Sequence, residues 1–127
     1  MGLAMAAARI LVADDDPVIR AALEEVLTSF GYTVVVVGDG IAALAAAQAD
    51  APDLILLDQM MPGLEGLAVL AALQAEPHLR SIPVVFLTGE PHRIPPLPGV
   101  MAVLGKPFRL EALRTTLRSI LETRPPR

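Results

Sequence analysis

Two hydrophobic rhythms alternate along the chain. Short unbroken apolar runs, Ile10-Leu11-Val12-Ala13, Leu54-Ile55-Leu56-Leu57 and Val84-Val85-Phe86-Leu87, are too short for helices and suit strands buried on both faces. The β-branched stretch 32–37 and the run 100–104 read as two further strands. Between them, apolar residues recur at helical spacing. Ile19, Ala22, Leu23, Val26, Leu27 and Phe30 predict an amphipathic helix over 17–30, with Pro17 suited to its first turn and Gly31 to its end. An Ala-rich helix is expected over 41–49, a third over 64–76, and a last over 108–121. Strands that alternate with helices imply a parallel sheet with right-handed crossovers. Five such units predict an α/β, flavodoxin-like doubly wound domain, with strand order 2-1-3-4-5 and helices on both faces.

One link breaks the rhythm. Glu90-Pro91-His92-Arg93-Ile94-Pro95-Pro96-Leu97-Pro98 lies where the fourth helix belongs, and its four prolines forbid a regular helix through most of it. That helix is expected to be absent or reduced to one turn.

Composition narrows the picture. The 127 residues are enough for one domain with its own core, expected over 8–123, with a loose leader at 1–7 and a frayed tail at 124–127. Without cysteine there are no disulfides or thiolate metal sites, which fits a reducing, cytoplasmic setting. A net charge of -4 gives no reason to expect nucleic acid or an anionic membrane surface as a partner, and no apolar run is long enough to span a bilayer. Lys106 is the only lysine; every other basic residue is Arg.

The polar residues that end the strands carry the chemistry. Asp14 and Asp15 follow the first strand, Asp58 the third and Thr88 the fourth, and Lys106 comes just after the fifth. In a parallel sheet all these ends share one edge, so residues distant in sequence meet in one cleft. Taken singly, each has a plainer explanation. Asp58 caps a turn as well as it fills a site, the 14–16 acids suit a helix N-terminus, Thr88 ends a strand, and Lys106 makes a surface ion pair. Together they favour function. Two like charges ~4 Å apart repel by roughly 4 kcal/mol at an effective dielectric of 20, so three carboxylates there call for a cation. A hard divalent ion such as Mg²⁺ suits oxygen ligands with phosphate. A hydroxyl and an ammonium can hold phosphoryl oxygens, and Asp58 can serve as a carboxylate nucleophile that forms an acyl phosphate.

Four stretches carry a family resemblance: Ile10-Leu11-Val12-Ala13-Asp14-Asp15-Asp16-Pro17, Pro52 through Leu57 into Asp58-Gln59-Met60-Met61-Pro62-Gly63, Phe86-Leu87-Thr88-Gly89, and Lys106-Pro107-Phe108. With them the chain resembles the receiver domain of two-component response regulators. The resemblance implies that Asp58 is the phosphoacceptor, that Asp14, Asp15, Asp58 and the Met60 backbone carbonyl hold Mg²⁺ (or Mn²⁺), and that Thr88, Gly89 and Lys106 bind the phosphoryl group. It also implies a cis Lys106-Pro107 peptide, a histidine kinase or histidine phosphotransfer protein as donor, an unidentified downstream protein, and no enzymatic turnover beyond the chain's own aspartate. Val103 departs from the pattern, standing where the family usually carries an aromatic switch residue. Two other readings fit the residues less well. One is a degenerate stand-alone receiver that binds partners without phosphate. The other is an aspartyl-phosphate phosphohydrolase, which would need a second Asp where Met60 stands.

Overall fold

The computed structural model describes residues 7–123. Five strands form one parallel sheet: β1 (Arg9–Ala13), β2 (Thr33–Val37), β3 (Leu54–Asp58), β4 (Val84–Thr88) and β5 (Val100–Gly105), in the order β2-β1-β3-β4-β5. Four α-helices accompany them: α1 (Pro17–Ser29), α2 (Gly40–Ala49), α3 (Gly66–Ala75) and α4 (Leu110–Thr123). This is the flavodoxin-like doubly wound arrangement.

Apolar burial explains the strand runs. β3 and β4 are buried at every position, because both faces of the sheet are covered. Alternate strand residues feed two cores. Leu11, Ile55, Leu57, Val84 and Phe86 pack with Val69, Leu70 and Leu73 of α3 and Ala43 and Ala47 of α2. Ile10, Val12, Leu54, Leu56, Val85 and Leu87 pack with Leu23 and Leu27 of α1 and Leu113, Leu117 and Ile120 of α4.

Local chemistry sets the helix ends. Asp16 and Asp39 cap α1 and α2, accepting from the backbone N–H of Val18 and of Ala42. Gly31, at φ 98°, takes the left-handed turn that leaves α1. The last two helices begin two residues later than their periodicity predicts. Leu64 still belongs to the turn after Pro62, its N–H reaching the Pro62 carbonyl, and Glu65 stands as the N-cap of α3. In α4 the helical ladder starts with the Leu113 N–H on the Arg109 carbonyl.

Between β4 and β5 the chain makes a single 3-10 turn, Pro91–Arg93, in place of a full helix, as the prolines predict. Ile94 then drops into the core beside the α3 residues, and 95–98 run exposed over the surface. Of the expected leader and tail, all but Ala7 lie outside the described residues. Among the described residues no helix is long and apolar enough to cross a membrane.

Candidate functional site

Sheet register fixes which residues meet. Ala13 pairs with Leu57, so Asp14 and Asp58 leave neighbouring strands side by side. Asp58 pairs with Leu87, one step before Thr88, and Thr88 pairs with Gly105, one step before Lys106. All the strand-end residues singled out in the sequence therefore stand along one edge.

Three of them are acids that converge. Carboxylate oxygens of Asp14, Asp15 and Asp58 all lie within 4.8 Å of one another. Asp15 is exposed, whereas Asp14 is fully buried and Asp58 is 5% exposed. An unpaired charge in a dry sheet is costly, so a strand-end carboxylate is expected to sit in water. Asp58 is instead a buried strand residue, tolerated because it is partnered. Lys106 Nζ lies 3.0 Å from Asp14 Oδ2 and 3.4 Å from Asp58 Oδ1, and the Met60 N–H reaches Asp58 Oδ1 at 3.4 Å. The other Asp14 oxygen accepts from the Asp16 N–H at 2.9 Å. Among the described residues no buried side-chain nitrogen or oxygen lacks a hydrogen-bond partner.

The charges are unequal in comfort. Burial pushes the Asp58 carboxyl above its ordinary range, and the Asp14 charge pushes it further; Lys106 and the Met60 N–H only partly offset this. Crowding by like charge, expected from the sequence, is thus real but second to desolvation. For Lys106, burial alone favours the neutral amine. The hydrogen bond it donates to Asp14 and the charges of both acids outweigh this and hold the ammonium above its ordinary value.

The remaining residues are placed as follows. The Thr88 hydroxyl accepts from the Glu90 N–H at 3.1 Å, and the Thr88 carbonyl accepts from the Lys106 N–H at 2.7 Å. Gly89 is exposed, and a Cβ added there would meet nothing within 4 Å, so the space beside it is open. Met60 is 67% exposed. The Lys106-Pro107 peptide is cis. Val103 is half-buried against the α2–α3 side of the core.

Two residues escaped the sequence reading. Arg20 Nη1 donates to the Asp14 carbonyl at 2.8 Å, and a Cβ on Gly38 would come 2.8 Å from the same atom. Its signal was present: Arg20 is the only cation in α1, one turn after Asp16. Gln59, directly after Asp58, accepts from the Leu67 N–H at 2.8 Å through its side-chain oxygen. Nothing periodic marks such a contact.

Three clustered carboxylates, two of them buried, form the hard-oxygen donor set that Mg²⁺ prefers. The residues fit such an ion.

The chain is similar to known proteins. A family model described as the response regulator receiver domain matches residues 10–118. The DNA-binding response regulator MtrA of Mycolicibacterium smegmatis is 37% identical over 117 residues, covering 89% of this chain and 50% of MtrA. Response regulator PleD of Caulobacter vibrioides is 44% identical over 117 residues, covering 89% of this chain and 26% of PleD. The chain therefore spans half or less of the length of these curated relatives. Among solved structures, the receiver domain of sensor histidine kinase PA1611 from Pseudomonas aeruginosa, with a magnesium ion coordinated in its active-site cleft, superposes with a TM-score of 0.86. It is 30% identical, and the match covers 93% of this chain and 100% of that one. Vibrio cholerae chemotaxis protein CheY4 superposes with a TM-score of 0.82 at 32% identity, covering 91% of this chain and 100% of that one.

Proposed function

The chain belongs to the response regulator receiver domain family, and from that premise we propose that Asp58 accepts a phosphoryl group from a histidine kinase or histidine phosphotransfer protein. The observation that carries this reading is the Lys106 ammonium shared between Asp14 and Asp58, with Asp15 in reach of both acids.

Asp14, Asp15, Asp58 and the Met60 carbonyl would hold Mg²⁺ or Mn²⁺. When bound, the ion neutralises the crowded acids and draws charge from the phosphoryl oxygens. An Asp58 oxygen forms the new O–P bond as the donor's P–N bond breaks, and the imidazole leaves with the electron pair. Lys106 is held upright by two acids. Once the Asp58 charge passes to the phosphoryl group, its ammonium follows. The Thr88 hydroxyl accepts from Glu90, which leaves its own proton to donate to a phosphoryl oxygen. The Gly89 backbone lies beside them with open space around it. No separate substrate is turned over; the chemistry stays on the chain's own aspartate and its slow hydrolysis.

Output passes to a downstream protein in the cytoplasm. DNA binding stands in the name of MtrA, of which this chain matches half. The -4 net charge supports no direct nucleic-acid contact by these residues. A second reading, a receiver that binds partners without phosphate, draws on the rebuilt β4–β5 link. Intact-mass measurement after incubation with Mg²⁺ and acetyl phosphate separates the two. We expect a phosphoryl adduct that disappears in Asp58→Asn; an unmodified wild-type chain would favour the second reading.

A further inference from the structure

The connection that leaves Asp58 is tied to α3 by an unusual cap. Glu65 holds the N-cap position of α3 but makes no side-chain cap hydrogen bond. The first turn of the helix is satisfied from elsewhere. The Gln59 side-chain oxygen accepts from the Leu67 N–H at 2.8 Å, and the Gln59 carbonyl accepts from the Gly66 N–H at 3.0 Å. The Gln59 amide nitrogen reaches Glu65 Oε2 at 3.3 Å. Gly66 closes the joint, for a Cβ there would come 2.7 Å from the Asp58 carbonyl oxygen and 2.9 Å from Gln59 Oε1. The Gln59 N–H in turn reaches the Leu87 carbonyl of β4 at 3.4 Å. One residue thus links the end of β3, the start of α3 and strand β4.

We propose that Gln59 is a positioning residue for the phosphoacceptor site. By capping α3 with its side chain, it fixes the backbone of 58–60, which supplies the acceptor carboxylate and the carbonyl assigned to the metal. The inference rests on the function proposed above. Gln59 touches neither phosphate nor metal in this scheme; it acts through the peptide units on either side of Met60. A helix cap that satisfies an otherwise orphan N–H is a stiff tether, because releasing it leaves a donor without a partner.

The test uses the whole chain and two variants. Gln59→Met keeps the side-chain length but removes the oxygen acceptor; Gln59→Glu, made together with Glu65→Gln so that no two carboxylates meet, keeps an acceptor. Mg²⁺ affinity is measured by calorimetry without phosphodonor, at high salt so that the relocated charge is screened. Hydrogen exchange at the Leu67 amide reports the cap itself. Gln59→Met is expected to weaken Mg²⁺ binding about fivefold, the scale of one lost cap, and to speed exchange at Leu67. The double variant should restore both. If Leu67 exchanges faster in Gln59→Met while Mg²⁺ affinity stays at the wild-type value, the cap is only structural and the proposal is overturned. If Gln59→Met does not fold, the double variant decides: a folded variant with a protected Leu67 amide and weakened Mg²⁺ binding overturns it equally. A wild-type chain that neither binds Mg²⁺ nor takes phosphate from acetyl phosphate sinks the parent reading, and this one with it.

Discussion

Two connections on the same side of the sheet perform the same task by different means. After β3 the chain returns through α3, a full helix that opens on Gly66 with the Asp58 carbonyl against it. After β4 it returns through one 3-10 turn and an exposed proline run. Both end in correctly paired parallel strands, so a long helix is not required to bring a strand home. Pro91 rests on Gly105, Ile94 is buried, and prolines restrict the unfolded chain so that less order is lost on folding. What differs is the coupling to the charged edge. The first connection is packed against the acceptor aspartate itself. The second touches the edge through the Glu90 N–H on Thr88.

This contrast can be broken by substitution. Gly66→Ala should be the most damaging change, about 3 kcal/mol, because the new methyl meets the Asp58 backbone and Phe86, which cannot retreat. Chemical denaturation would measure the loss, and Mg²⁺ affinity should fall with it. Ile94→Ala, in the second connection, should cost about 2 kcal/mol by emptying its place in the core. It should leave Mg²⁺ affinity where it was; a parallel loss there would mean that the two connections are not separable. The smallest effect sharpens the charged side. The folded state favours protonated Asp58, so that group's contribution is fully present below the ordinary carboxylate pKa and is lost as pH rises through its raised value. Asp58→Asn should therefore stabilise the chain in chelator at neutral pH, by less than either change above costs, and the gain should vanish below about pH 4. Thermal melts at the two pH values check it; a variant no more stable than wild type at neutral pH would remove the claim of tension at β3.

The same contrast marks what could be read from the residues. Strands were legible because a parallel sheet buries both faces and writes continuous apolar runs closed by polar residues, as in Leu54 to Asp58. The shortened link was legible because Pro95, Pro96 and Pro98 cannot be helical. Assembly of the edge followed from topology alone. Helix starts shifted because Leu64 and Phe108 look helical by period, yet the capping geometry belongs to Glu65 and to the Arg109 carbonyl. The burial of Asp58 was missed because one strand does not reveal that Lys106, from another, will cover its charge. Gln59 and Arg20 were missed for a related reason: a side chain that serves a backbone group six or eight residues away leaves no periodic trace.

The proline run has a practical corollary. Residues 95–98 lie exposed between two fixed points: Ile94, seated among apolar neighbours, and Gly99, whose carbonyl accepts from the Val84 N–H at 2.8 Å. A segment pinned at both ends and bare between them is a natural splice point. Lengthening such a loop adds only about 0.6 kcal/mol per doubling. A dye-bearing insert at Leu97 would ride at the amino end of the sheet, beside the start of β4 and on the rim opposite Thr88, where an optical label could be carried without disturbing the acids.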